Sequence, residues 1–171
     1  MILQTARLAL REMTPDDIDF VAAMLADPEV MRFYPGTYDR AGASQWLERQ
    51  RSRYAREGHA LWLVAETASG QPVGQVGLVL QTVDGASMPE IGYLIHRPYW
   101  RRGFASEAAL GVRAHAFGPL GYDRVISLIR PENVPSQGVA RKLGMTLRGR
   151  TWHGGFEHDV WGIERGPGLE A

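Results

Sequence analysis

The chain is 171 residues long, carries 19 basic and 19 acidic side chains for a net charge of zero, and contains no cysteine. This length predicts one domain with a full core, and 44% hydrophobic against 22% charged residues excludes a disordered chain. The missing cysteine excludes disulfides, thiolate metal sites and a cysteine nucleophile, and neutrality argues against a nucleic-acid binder or a polybasic membrane protein.

Residues 6–11 alternate, with Ala6, Leu8 and Leu10 opposite Arg7, Ala9 and Arg11, and predict a strand. Thr14-Pro15-Asp16-Asp17 opens a helix: Thr14 can cap it, Pro15 suits the first helical position, and two carboxylates complement the dipole. Ile18, Val21, Ala22 and Leu25 continue at helical spacing until Asp27-Pro28. A second helix is predicted over 41–57, with Ala43, Trp46, Leu47 and Tyr54 on its core side and Gly58 as its stop. An aromatic loop, Met31-Arg32-Phe33-Tyr34-Pro35-Gly36, joins the two helices.

Strands over 61–66, 73–80 and 88–95 read as a hairpin extended into a meander. A helix over 103–117, ended by Gly118-Pro119, precedes a strand at 124–130, a short helix at 135–143 closed by Gly144, and two last strands at 145–151 and 157–164. The order β-α-α-β-β-β-α-β-α-β-β places the chain in the α/β (α+β) class, as one domain over residues 1–165 with a flexible tail at 166–171. No apolar run approaches the roughly 20 residues of a bilayer span, and no signal-peptide core opens the chain; a cytoplasmic protein is expected.

Neutrality hides a bias. From His96 to Arg150 ten basic residues face three acidic ones, a local charge of +7 balanced by −7 elsewhere, and Lys142 is the one lysine among 19 basic residues. Running into that segment, Glu90-Ile91-Gly92-Tyr93-Leu94-Ile95-His96-Arg97-Pro98-Tyr99-Trp100-Arg101-Arg102-Gly103-Phe104-Ala105-Ser106-Glu107 puts a strand, a basic turn with one glycine and a helix start in succession. Free N–H groups at a helix N-terminus, two arginines and small residues in the first turn form a phosphate or pyrophosphate cradle. An ordinary strand-to-helix turn has the same outline, so the segment alone leaves both readings open. No G-x-x-x-x-G-K-[ST] loop and no G-x-S-x-G elbow occurs. The five histidines lack metal-ligand spacing, adjacent His158 and Asp159 should face opposite ways on a strand, and no metal is expected.

Three blocks in order resemble the GNAT superfamily of acyl-CoA-dependent N-acyltransferases, in particular its Rim-type branch of ribosomal-protein N-terminal acetyltransferases. They are Thr5–Arg11 with the Thr14-Pro15-Asp16-Asp17 helix start and Ala26-Asp27-Pro28-Glu29-Val30-Met31; Glu90-Ile91-Gly92-Tyr93 with the Tyr99–Glu107 segment; and Asn133-Val134-Pro135-Ser136 with Lys142-Leu143-Gly144-Met145. The resemblance spans nearly the whole chain and implies a mixed, mostly antiparallel central sheet flanked by helices. It implies acetyl-CoA as acyl donor, its pyrophosphate held by the backbone of Arg101, Arg102, Gly103, Phe104, Ala105 and Ser106. The pantetheine arm would pair with the strand edge at Tyr93, Leu94 and Ile95 and bond Asn133. Trp100 stands where the superfamily pattern has Gln or Arg.

Direct transfer to an amine in a ternary complex is the mechanism the resemblance implies, and it suits a chain without cysteine. The amine needs a base; Glu90 is the candidate, although it lies one residue nearer Gly103 than its counterpart in histone-acetylating members and pairing with an arginine is the competing role. A strand-edge N–H near Leu94 or Ile95 would polarise the thioester carbonyl. The family's tyrosine acid, seven residues after the motif asparagine, is replaced by Ala140, while Ser136 stands where the Rim-like branch places a serine near the thiol. Phe33, Tyr34 and Trp152, with Tyr38, His153 and Phe156, are expected to wall the acceptor site, a small-molecule amine or a peptide N-terminus being the acceptor. Homodimerisation is the family-based expectation. The alternative function is a non-catalytic acyl-CoA-binding module for sensing or assembly; a nucleotide-binding α/β domain is a third reading.

Overall fold

The computed structural model describes residues 1–167; the remainder of the expected tail, 168–171, lies outside the described residues. Eight strands form one sheet in the order β1-β2-β3-β4-β5-β6-β8-β7. They are β1 (Leu3–Gln4), β2 (Leu8–Arg11), β3 (Leu61–Glu66), β4 (Pro72–Val83), β5 (Ala86–Ile95), β6 (Arg124–Ile129), β7 (Thr146–His153) and β8 (Phe156–Glu164). Four helices, α1 (Ile18–Ala26), α2 (Arg40–Glu57), α3 (Phe104–Phe117) and α4 (Val134–Lys142), accompany them. Every neighbouring pair is antiparallel except β5 and β6, so the sheet is mixed and mostly antiparallel as expected.

The first strand differs from its sequence reading. Residues 5–7 turn instead of continuing the alternation: the Thr5 N–H donates to Leu8 O at 2.8 Å, and the chain folds back as β1 and β2 with Leu3 opposite Leu10. The β4–β5 hairpin also runs further than its hydrophobic pattern, to Asp84-Gly85, whose φ values of 49° and 82° suit the tight turn that Asp-Gly favours between twisted strands.

Each side of the sheet has its own core. On one side Val21, Met24 and Leu25 of α1 and Ala43 and Leu47 of α2 pack on Leu63 and Leu94. On the other, Phe104, Ala108 and Val112 of α3 and Ala140 of α4 pack on Trp62, Val76, Ile91 and Trp161. Local signals set the helix ends: Asp39 Oδ1 accepts from the Gly42 N–H at 2.8 Å at the start of α2, and Gly58 closes it at φ 78°. The predicted helix start at Thr14 is a 3-10 turn over Pro15–Asp17 that leads into α1, with Asp17 Oδ2 accepting from the Thr14 N–H at 2.7 Å.

Candidate active site

The parallel pair β5 and β6 is where the sheet opens. Its only paired register among the described residues is Glu90 opposite Ile126. Were the ladder to continue, the Leu128 N–H would donate to Ile91 O in the next rung. Two side chains take those groups instead. Ser127 Oγ donates to Ile91 O at 2.8 Å, and Glu90 Oε1 accepts from the Leu128 N–H at 3.3 Å. Beyond this point β5 has no strand on its β6 side among the described residues.

The pairing with β4 decides which groups face the opening. The His96 N–H bonds to Val73 O at 2.9 Å, and the two-residue period of an antiparallel ladder assigns Leu94, Gly92 and Glu90 backbone groups to β4 as well. The odd residues face the opening. Ile91 O is held by Ser127, and Ile95 O accepts from Trp100 Nε1 at 2.7 Å. The free edge therefore consists of the Tyr93 N–H and C=O and the Ile95 N–H. Leu94, expected on this edge, is not on it: its backbone belongs to the β4 ladder, and its side chain is buried against α1 and α2.

The cradle lies at the far end of β5. Arg101 at φ 62° and Gly103 at φ 78° turn the chain into α3, with Gly103 as its N-cap. The Glu107 N–H makes the first helical bond, to Gly103 O at 3.0 Å, so Phe104, Ala105 and Ser106 keep N–H groups without a helical acceptor. Arg101, Arg102 and Gly103 are exposed. Arg102 stacks on Tyr99 with 5.4 Å from Cζ to the ring centroid.

A brace that sequence reasoning missed holds this turn from across the sheet. Arg7 Nε donates to Glu107 Oε2 at 2.7 Å, Arg7 Nη1 to Arg102 O at 3.0 Å, and Thr5 Oγ1 to Glu107 Oε1 at 2.6 Å. Partial burial acts upward on the Glu107 carboxyl, but the Thr5 and Arg7 donors outweigh it and hold it below the usual range. Arg7 also lies over the Phe104 ring at 4.8 Å. Because Arg7 is half exposed, its net worth is about 1 kcal/mol rather than the larger value of a buried charged bond. Arg7→Ala is expected to weaken coenzyme A binding about fivefold by titration calorimetry; unchanged affinity would remove the brace from cofactor binding.

Glu90 sits at the foot of the opening. Its Oε2 accepts from Gln81 Nε2 at 2.8 Å, and no arginine pairs with it among the described residues. Desolvation pushes its carboxyl above the usual range, against the pull of the Gln81 and Leu128 donors. Asn133 caps α4, its Oδ1 accepting from the Ser136 N–H at 3.2 Å. Its Nδ2 remains available to a ligand, and the Ser136 hydroxyl lies beside the Tyr93 phenol. Ser136 O accepts from Tyr93 Oη at 2.7 Å.

Facing Glu90 is an aromatic cleft. Tyr34 is 39% exposed as a whole residue, yet desolvation first and the Glu90 charge second push its phenol above the usual range. Trp46, expected in the core, is half-buried here, 5.7 Å from the Tyr38 ring and 6.4 Å from Tyr34, and donates from Nε1 to Gln75 at 2.9 Å. Arg130, at the end of β6, gathers the walls: it stacks on Phe156 at 4.0 Å, reaches Phe33 O at 3.5 Å, and pairs with Glu132.

Trp152 does not join this cleft. It pairs with Glu157, whereas His153 pairs with Phe156 and Thr151 with His158, so strand alternation puts it on the opposite face of the hairpin, 74% exposed. His153 and His158 do share the cleft face, with rings 5.5 Å apart, while Asp159 turns away to Arg150 at 2.9 Å, as adjacency on a strand predicts.

Comparison with known proteins matches this architecture. A family model described as an acetyltransferase (GNAT) domain covers residues 7–146. A Bacillus subtilis relative, YkkB, is 32% identical over 84% of this chain and 84% of its own. The crystal structure of an acetyltransferase from Agrobacterium tumefaciens superposes with a TM-score of 0.83 at 25% identity, covering 95% of this chain and 94% of that one. The likeness extends to the Rim-type branch at the level of the fold: RimL, a ribosomal L7/L12 α-N-protein acetyltransferase in complex with coenzyme A, superposes at 0.76 with 14% identity over 95% of this chain and 97% of its own. With an opened β5–β6 edge, a helix-start cradle and a family match over most of its length, the chain belongs to the GNAT acetyltransferase family.

Proposed function

We propose that the protein is an acetyl-CoA-dependent N-acetyltransferase that passes the acetyl group directly to a primary amine, of a peptide N-terminus or a small molecule, in a ternary complex. One observation carries the reading: the cradle, the free edge of β5 and the Glu90 carboxylate lie along one strand and its following turn. The residues present fit coenzyme A. Three free N–H groups and two exposed arginines suit a pyrophosphate, the Tyr93 and Ile95 edge suits an amide-bearing arm added like a strand, and Asn133 has a free amide donor. The thioester, when bound, supplies an activated acyl carbon.

The chain's own groups do the rest. An ammonium has no lone pair, so Glu90 takes its proton, directly or through one water, and the desolvation that raises its carboxyl improves it as a base. The Tyr93 N–H, the first donor of β5 left free by the opening, is placed to stabilise negative charge on the acyl oxygen. Ser136 Oγ, beside the Tyr93 phenol, serves the sulfur side. Tyr34, Tyr38 and Trp46 exclude water from the amine.

Release of free thiol from acetyl-CoA, measured over a panel of amines and N-terminal peptides, tests the reading. Turnover with at least one acceptor is expected. Tight coenzyme A binding without turnover across the panel would instead favour the acyl-CoA-binding module. In the same assay Ser136→Ala is expected to lower kcat about tenfold with KM for acetyl-CoA little changed, a hydroxyl contact to developing charge contributing about 1 kcal/mol or slightly more. Unchanged turnover would remove Ser136 from the mechanism.

A further inference from the structure

The position that holds a tyrosine acid in many GNAT enzymes is Ala140 here, fully buried in the core beneath α3 and α4. The facing strand instead sends Tyr93 to the first turn of α4. Its ring packs partly buried against the core that contains Ala140, and its hydroxyl ends at Ser136 O, 2.7 Å away, one turn before Ala140. Side chains on a helix lean toward its N-terminus, so a tyrosine at 140 would send its hydroxyl to the same turn. A phenol thus reaches the α4 side of the opening from β5 rather than from α4. The residue that presents it also presents the free backbone N–H of the strand edge, so hydroxyl and N–H flank the same stretch of the opening.

We propose that the Tyr93 hydroxyl is the proton donor to the leaving sulfur, and the inference rests on the acetyl-transfer reading above. As the carbon–nitrogen bond forms and the carbon–sulfur bond breaks, the sulfur takes the proton of Tyr93 Oη, which gives up its bond to Ser136 O. The amine nitrogen releases two protons on going from ammonium to amide: one leaves through Glu90 to solvent and the other restores the phenol. Glu90 and Tyr93 project from opposite faces of β5, as their odd and even positions require. Base and acid therefore act from opposite sides of the sheet.

The test compares wild type with Tyr93→Phe, which deletes one oxygen and keeps the ring. Binding is measured first, by calorimetry, with coenzyme A and with desulfo-coenzyme A, and needs no acceptor. The wild type is expected to bind coenzyme A about fivefold more tightly than the desulfo form, the worth of one hydrogen bond, and Tyr93→Phe to bind the two alike. With an acceptor that supports turnover, Tyr93→Phe is expected to lose about 100-fold in kcat with KM for acetyl-CoA within twofold. Replacing Tyr93 by 3,5-difluorotyrosine should move the alkaline limb of the kcat profile to lower pH, which a packing role would not do. A variant that keeps full kcat, or the same preference for coenzyme A over its desulfo form, overturns the assignment alone. A wild type that binds coenzyme A but acetylates no amine overturns the transfer reading and this step with it.

Discussion

Glu90→Gln is expected to lose between about 10² and 10⁴ in kcat, the usual contribution of a positioned base, while binding coenzyme A as the wild type does. The acid limb of the wild-type kcat/KM profile should lie above the ordinary carboxylate range, because desolvation raises this carboxyl and only its ionised form accepts a proton. In the variant that limb should vanish. Stability should move the other way. A carboxyl whose folded value is raised contributes stability below its unfolded value and loses it as pH rises through the folded value, so at neutral pH the wild type bears an unfavourable buried charge. Glutamine can accept from the Leu128 N–H with one atom and, after a flip of the Gln81 amide, donate to Gln81 with the other. Thermal unfolding of Glu90→Gln should therefore occur at a temperature no lower than wild type at neutral pH, with its advantage shrinking as pH falls. An unfolding temperature well below wild type, with turnover intact, would make Glu90 a structural bridge between β5 and β6 and nothing more.

Gly103→Val should produce the second large effect, on the cofactor side. Gly103 has φ 78°, and among the described residues a Cβ placed there would meet only Arg7 Nη2 at 3.5 Å, so space is not what requires glycine. Backbone conformation is. An L residue in the left-handed region costs about 1–2 kcal/mol, and a β-branched one more. If the cradle relaxes to avoid that cost, the Phe104, Ala105 and Ser106 N–H groups lose their convergence. Coenzyme A affinity by calorimetry is expected to fall about 5- to 30-fold, with kcat at saturation nearly unchanged. Because the turn is exposed, the unfolding temperature should change little. Wild-type affinity in the variant would place the pyrophosphate elsewhere.

Features written in local sequence were legible. The limits of α2 follow from Asp39 and Gly58, the cradle from one glycine between arginines and small residues, and α4 from Asn133 and Pro135. What depended on distant contacts was not. Residues 5–7 keep an alternating pattern but turn, because Thr5 and Arg7 are held by Glu107, about a hundred positions later. Ser127 reads as a small polar interruption in an aliphatic strand; only the register of β5 against β6 shows that it occupies a missing rung. Trp46 sits at core spacing on α2, yet its Nε1 is drawn to Gln75 and its ring to Tyr38 and Tyr34, contacts that helical periodicity does not encode. The edge residues came out one position off at Leu94 because sequence alone does not tell which parity of β5 faces β4. Trp152 was misplaced for a related reason. The register of β7 shifts between Leu147 and Gly149, which sets the faces of the residues beyond.

Direct transfer along the β5 edge, as proposed, needs a ternary complex and leaves no acyl group on the protein. Initial rates measured over a matrix of acetyl-CoA and acceptor concentrations test it most directly. Double-reciprocal lines that intersect are predicted, because both substrates must be present before acetyl moves. Parallel lines, the pattern of a ping-pong reaction through a covalent acyl-enzyme, would contradict it.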